Sequence, residues 1–172
     1  PRNPGDSTPL KILIVGGGSD PSGFCSEITK VLLELPFDFK ADVFSDTINE
    51  DFRLDSRIRI HKVSLLLDEY AKGCDIAFTL ASSLSIELIA REIPIGVAWA
   101  FENQRSGFVE MVSSGFAAPI GNRNNSGEWE IDKNILSKMI SSSLFRNDLR
   151  SRISGLIDLN GAQRVTAEIL NQ

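Results

Sequence analysis

The chain is 172 residues long, 42% apolar and 24% charged, with 18 Lys and Arg against 23 Asp and Glu, a formal net charge of -5 and two cysteines. That length amounts to about one domain, able to bury a core without disulfides or metals, and no apolar run approaches the ~20 residues that span a bilayer. The basic residues are scattered rather than clustered, which argues against a nucleic-acid footprint and leaves any anionic ligand to be held by local groups.

The opening stretch "PRNPGDSTP", residues 1–9, has neither the charged start nor the apolar region of a signal peptide and reads as a linker remnant; the domain is taken as 10–172. The chain is accordingly expected to be a piece of a longer protein. From there, short runs rich in Ile, Val and Phe alternate with stretches of 3.6-residue periodicity, the pattern of a parallel sheet covered by helices on both faces. Strands are predicted at Lys11–Val15, Ala41–Phe44, Arg57–Ile60, Ile76–Leu80, Ile95–Ala98 and Phe116–Pro119. Helices are predicted between them at Ser22–Leu35, Ser64–Lys72, Ser83–Arg91 and Gln104–Ser114. The tail adds helices at Lys133–Ser142, Arg146–Ser154 and Gly161–Leu170, which pack on the sheet or reach back across a neighbouring domain. The expectation is an α/β domain with a doubly wound, mostly parallel Rossmann-like sheet of about six strands and C-terminal helices. Ser22 or Asp20 suits the cap of the first helix, Ser83 and Asn103 those of later ones, and Asp132 that of the first tail helix. The polar "GNRNNSGE", Gly121 to Glu128, reads as an exposed turn-rich loop.

Cys25 and Cys74 lack CxxC spacing and a neighbouring histidine, so both read as reduced, partly buried side chains, as suits a cytoplasmic protein. His61, the single histidine, lies at the end of a predicted strand and reads as a packing or pocket-edge residue; with no Cys/His cluster, no metal site is expected.

In a doubly wound sheet the loops at the carboxyl ends of the strands form the ligand crevice. Three such loops carry suitable chemistry. After the first strand stands "GGGSDPS", Gly16 to Ser22. Glycines let the backbone approach a ligand, the next helix offers free N–H groups and a positive dipole end to a phosphate, and the Ser19 hydroxyl adds a donor. The loop is neither a P-loop, because no Gly-Lys-Ser/Thr follows, nor a spaced G-x-G-x-x-G, so an ordinary ATPase or dinucleotide dehydrogenase is not indicated. A tight turn between strand and helix accounts for the same glycines. After the fourth strand, "ASSLSIE" (Ala81 to Glu87) opens a helix with small hydroxyl residues and places Glu87 one turn in, where a carboxylate accepts two hydrogen bonds from vicinal hydroxyls. Serine caps and a favourable charge at a helix start are the alternative. After the fifth strand, "AFENQ" (Ala100 to Gln104) offers the amides of Asn103 and Gln104, groups that serve equally as helix caps. Trp99 and Phe101 beside them suit core packing or stacking on a ligand, and Trp129 the cover of an apolar patch. Asp20, Asp46, Glu87 and Glu102 are acid–base candidates by residue type alone, and no catalytic residue is singled out.

Through "VGGGSDPSG" (Val15 to Gly23), "CDIAFTLASSLSIELIAREIPIGVAWAFENQ" (Cys74 to Gln104) and "DLNGAQRV" (Asp158 to Val165), the chain resembles the C-terminal half of GT-B-type nucleotide-sugar proteins. The resemblance is closest to the UDP-sugar hydrolase of pseudaminic acid biosynthesis and its spore-coat polysaccharide relatives, and more distant to the peptidoglycan N-acetylglucosaminyltransferase. It implies that Gly17, Gly18 and Ser19 face a diphosphate and that Ser83 to Ser85, including Ser85 itself, line the same pocket. It further implies that Glu87 binds ribose hydroxyls, that Asn103 and Gln104 hold phosphate or sugar, and that backbone near His61 to Ser64 holds uracil. No cofactor or metal is implied, and the partners are a UDP-sugar or UDP and a second Rossmann-like domain, in which the hydrolase relatives carry their proposed general base. The chain departs from the family pattern at Ala81 and Ser82, where Gly-Gly is usual, and at Asn160, where a glycine is usual. Two readings from other classes stand beside this one: a non-catalytic α/β interaction module with a degenerate pocket, and a receiver-like or flavodoxin-like domain. The latter is disfavoured because the first strand ends in glycine rather than aspartate.

Overall fold

The computed structural model describes residues 9–62, 67–158 and 160–170. Seven strands make one sheet in the order β3-β2-β1-β4-β5-β6-β7. They are β1 (Leu10–Val15), β2 (Phe39–Phe44), β3 (Ile58–His61), β4 (Ile76–Leu80), β5 (Ile95–Trp99), β6 (Ala118–Arg123) and β7 (Trp129–Ile131). All pairings are parallel except β6 with β7. The helices are α1 (Phe24–Glu34), α2 (Leu67–Gly73), α3 (Ser83–Ala90), α4 (Glu102–Ser113), α5 (Lys133–Ser141), α6 (Ser143–Ile153) and α7 (Gly161–Leu170), with a 3-10 turn at Glu50–Leu54. The predicted doubly wound sheet is therefore present with one strand more than expected.

Strands buried on both faces explain the continuous apolar runs. Alternate residues of β1 feed two cores: Ile12 and Ile14 face α1 and α5 through Phe24, Ile28, Leu32, Leu136 and Met139, whereas Leu13 and Val15 join Ala77, Val97, Leu88, Ile89 and Ile153 on the other side. Each fully buried Leu, Ile or Phe contributes about 1.5–3 kcal/mol relative to exposure, so the two layers fix the sheet and with it the edge where the strands end. Helix α7 stands apart from both: Val165 is 60%, Ile169 66% and Leu170 79% exposed.

Several boundaries differ from the sequence expectation for local reasons. Helix α1 starts at Phe24 rather than Ser22, because Gly23 at φ 72° lies in the left-handed region and ends the loop. Helix α3 is capped by Ser82 rather than Ser83, and α4 begins at Glu102, two residues early, with Asn103 inside its first turn. Strand β6 begins two residues late and extends through Gly121 to Arg123, and the rest of the expected loop is a tight connection, with Asn124 accepting from Glu128 N–H and donating to the Glu128 carbonyl. The early part of the expected helix from Ser64 lies outside the described residues. Asp132 caps α5 as expected, accepting from Asn134 and Ile135 N–H at 2.9 and 3.1 Å.

Candidate functional site

The strand order reverses between β1 and β4, which lie side by side while β2–β3 and β5–β7 extend to opposite edges. That topological switch point is where an open α/β sheet has a crevice at its carboxyl edge. The loops after β1 (16–23), β4 (81–82) and β5 (100–101) follow adjacent strands, so the three segments singled out by sequence are brought to one edge.

The first loop is built around Asp20. Its side chain is buried, and among the described residues it is one of two non-glycine residues with positive φ, at 51°. Its Oδ1 accepts from Phe24 N–H at 3.0 Å and from the Ser22 hydroxyl at 3.2 Å, and its Oδ2 accepts from Cys25 N–H at 2.9 Å, with the Ser45 hydroxyl at 3.5 Å. The carboxylate therefore caps α1 from inside the loop. Gly16 is required for this, since a Cβ there would stand 2.5 Å from Asp20 Oδ1 and 2.8 Å from its Cγ. The Thr47 hydroxyl, from the segment after β2, reaches the Ser19 and Asp20 carbonyls at 3.4 and 3.2 Å. On the other side the Trp129 indole, 5.5 Å from the Phe24 ring, donates from Nε1 to the Ser22 carbonyl at 3.0 Å. Gly17, at φ 93°, together with Gly18 and Ser19 forms the outward part of the turn, and among the described residues no group accepts a hydrogen bond from their N–H groups.

The expectation that α1 itself presents free N–H groups to a phosphate is thus corrected: Asp20 occupies those of Phe24 and Cys25. Asp20 is correspondingly enclosed as a cap rather than exposed as an acid–base group. The other expected residues divide. Ser83, Glu87 and Asn103 are exposed, and among the described residues their side chains make no hydrogen bond or ion pair. Ser85 is buried in a reciprocal capping box, accepting from Ser82 N–H and donating to the Ser82 carbonyl. Gln104 Oε1 accepts from Ala100 and Phe101 N–H at 2.9 and 3.4 Å. These two side chains shape their loops rather than project from them. Phe101 is 42% exposed and Trp99 half-buried with the Arg105 guanidinium 5.8 Å from its ring, so neither is a core residue.

His61 lies on the same carboxyl edge, in register with Phe44 at the end of β2, but to the side of the three loops. Its Nε2 lies 2.7 Å from Asp42 Oδ1, its Nδ1 3.4 Å from the Tyr70 hydroxyl, and its ring stacks on Phe44 at 4.9 Å. It ends β3, two strands removed from β1. The segment 63–66 that follows, part of the expected uracil contact, lies outside the described residues. Cys25 donates to the Phe44 carbonyl at 3.5 Å, and burial, followed by the Asp20 charge, pushes its thiol well above the usual range; burial pushes Cys74 up to about 12. Neither is an activated nucleophile. Among the described residues no group of three or more His, Cys, Asp or Glu is placed to hold a metal ion, and no helix is long and apolar enough to cross a membrane. What the edge offers is hydrogen bonding: peptide N–H groups, two exposed hydroxyls, one carboxylate and one amide.

Sequence reasoning missed Thr47 and Trp129 as supports of the loop. The hydroxyl-bearing "FSDT" directly after an apolar strand marked the former; for the latter no local signal exists, because its partner is 107 residues away.

No family model and no curated protein matches this sequence. Solved structures do share its fold. A MurG structure from Acinetobacter baumannii matches 96% of this chain and 50% of its own at a TM-score of 0.72 and 14% identity. A UDP-GlcNAc 2-epimerase from Neisseria meningitidis bound to UDP-GlcNAc matches over 97% and 45% at a TM-score of 0.61 and 10% identity. The MnaA–UDP co-structure from S. aureus matches over 94% and 45% at 0.61 and 14%. The chain thus spans about half the length of these structures, and its architecture is a Rossmann-like half of a GT-B fold.

Proposed function

We propose that this chain is the nucleotide-sugar-binding half of a GT-B enzyme and that it holds the diphosphate of a UDP-sugar at the switch point between β1 and β4. The observation that supports the reading is that the loops after three adjacent parallel strands share that edge and carry polar groups without a partner among the described residues: the Gly17, Gly18 and Ser19 N–H groups, the Ser19 and Ser83 hydroxyls, the Glu87 carboxylate and the Asn103 amide. Backbone donors on a rigid sheet edge stabilise the charge that develops on a departing nucleoside diphosphate, without reorganisation at the moment of reaction. Glu87 is the acceptor for ribose hydroxyls, and Asn103 the donor to phosphate or sugar. Ser85 and Gln104 act one step back, by fixing the turns that present these groups.

The whole enzyme then transfers the sugar to an acceptor or hydrolyses it, in the cytoplasm, within surface polysaccharide or nonulosonate-type sugar synthesis. The reacting atoms lie between this half and a second Rossmann-like domain, which supplies the acid–base residue. The exposed Val165, Ile169 and Leu170 of α7 are the apolar surface offered to that domain.

Calorimetric titration of UDP into the chain tests the reading. Saturable binding between micromolar and millimolar, weakened in Ser19→Ala, supports it. Folded protein that binds neither UDP nor any other nucleoside diphosphate refutes it and favours the interaction-module reading, to which the confinement of Ser85 and Gln104 in local caps also points.

A further inference from the structure

We propose that Asp20 is the positioning residue of the phosphate loop: its carboxylate stands where a bound anion would otherwise sit at the start of α1, and it fixes Gly17–Ser19 so that the ligand meets the N–H groups of the loop instead of those of the helix. This rests on the nucleotide reading and goes beyond it by assigning which donors the ligand finds and what holds them.

Four observations converge on Asp20. It keeps a left-handed backbone, at φ 51°, a region uncommon for residues with a Cβ and one that Asp and Asn enter more readily than most. The residue is 1% exposed, and among the described residues no cation pairs with its carboxylate. Burying a lone carboxylate is costly unless hydrogen bonds and fixed dipoles replace its water, and here two peptide N–H groups, the Ser22 hydroxyl and the positive end of α1 do so. Gly16 beneath it has room for no Cβ. Its own carbonyl, and that of Ser19, accept from Thr47, so the turn is tied at both the side chain and the main chain.

The consequence is a loop organised before the ligand arrives. With the α1 amides already taken, its dipole is neutralised internally, and the outward arc from Gly17 to Ser19 has little freedom left to lose on binding. A loop of glycines without that internal anchor has to be ordered by the ligand itself, at a cost in affinity.

The test compares Asp20→Ala and Asp20→Asn with Asp132→Ala, which removes an analogous two-amide cap from α5. Each variant is titrated with UDP, its denaturation midpoint is measured, and its amide exchange is read without ligand. We expect exchange at Phe24 and Cys25 to accelerate about tenfold or more in Asp20→Ala, and UDP affinity to fall about tenfold or more. Asp20→Asn, which keeps one acceptor oxygen, is expected to recover part of both. Asp132→Ala should lose stability while binding UDP as the wild type does. The proposal is overturned if Asp20→Ala binds within twofold of wild type, if Phe24 and Cys25 stay protected in it, or if Asp132→Ala weakens binding equally. Absence of UDP binding in the wild type overturns the nucleotide reading instead, and the exchange result then separately decides whether Asp20 anchors the loop.

Discussion

Glu87 and Gln104 look alike in sequence, each a polar residue near the start of a helix at the sheet edge, but the structure separates what their removal does. Glu87 lies four residues, about 6 Å of axial rise, beyond Ser83 at the start of α3, and its carboxylate is exposed and unpartnered among the described residues. Glu87→Gln therefore removes no intramolecular hydrogen bond, and its stability should stay within about 0.5 kcal/mol of wild type. If the carboxylate receives ribose hydroxyls, the loss is that of charge-assisted hydrogen bonds, about 1.5–3 kcal/mol in the complex, or a UDP affinity lower by about 10- to 150-fold. Gln104→Ala is the mirror image. It strips the acceptor from Ala100 and Phe101 N–H and should cost about 0.5–2 kcal/mol of stability, with an effect on UDP no larger than the loosened loop produces. Urea denaturation and calorimetry on the same preparations give both numbers. A destabilised Glu87→Gln with unchanged UDP affinity would refute the assignment of Glu87 to the ligand, whatever Gln104 does.

Three further outcomes follow from the packing and the charges. Gly96→Ala in β5 sets a Cβ 2.7 Å from Ile120 Cγ2, 2.8 Å from Phe78 Cδ1 and 3.0 Å from Met139 Sδ, and should cost about 1–3 kcal/mol in urea denaturation; an unshifted midpoint refutes the tight contact. Neither cysteine should react with a thiol reagent at pH 8 in the folded protein, because burial holds the Cys25 and Cys74 thiols protonated, whereas both should react in guanidinium; a fast-reacting thiol in native protein contradicts the burial. Asp55 is held below the usual carboxylate range, first by hydrogen bonds from the Arg57 side chain and then from its N–H. A carboxylate whose folded value lies below its unfolded value of about 3.9 contributes fully at neutral pH and loses that contribution as pH falls through the folded value. Asp55→Asn should accordingly flatten the acid limb of the stability curve below pH ~4 relative to wild type; an unchanged limb contradicts the pairing.

The sheet was legible because its strands are buried on both faces and advertise themselves as unbroken runs such as "KILIV" and "IAFTL". Strand β7 was not, since three residues, Trp129 to Ile131, carry no periodicity and follow a run of Asn and Gly that looks like open loop. Helix starts slipped by two residues at α1 and α4 and by three at α6, where a single backbone angle or cap decides, as at Gly23 and at Ser142. For the candidate site, the sequence pointed to three loops, and the parallel topology places them on one edge. It did not show which polar groups face outward. Ser83 and Ser85 are two residues apart, yet one is exposed and the other buried in a capping box, and Asp20 reaches forward to amides four and five residues on only because the loop folds back over Gly16.

The indole of Trp129 on the Ser22 carbonyl joins points 107 residues apart. For a chain made from its amino end, this means that the first loop is synthesised early but secured late. Strands β1, β2 and β4 can pair while the ribosome is still adding β5, and the glycine turn then awaits its last clasp until the hairpin after β6 has emerged. A nascent chain halted before Trp129 holds every one of the residues assigned to the ligand and still lacks one of the ties that hold their loop in place.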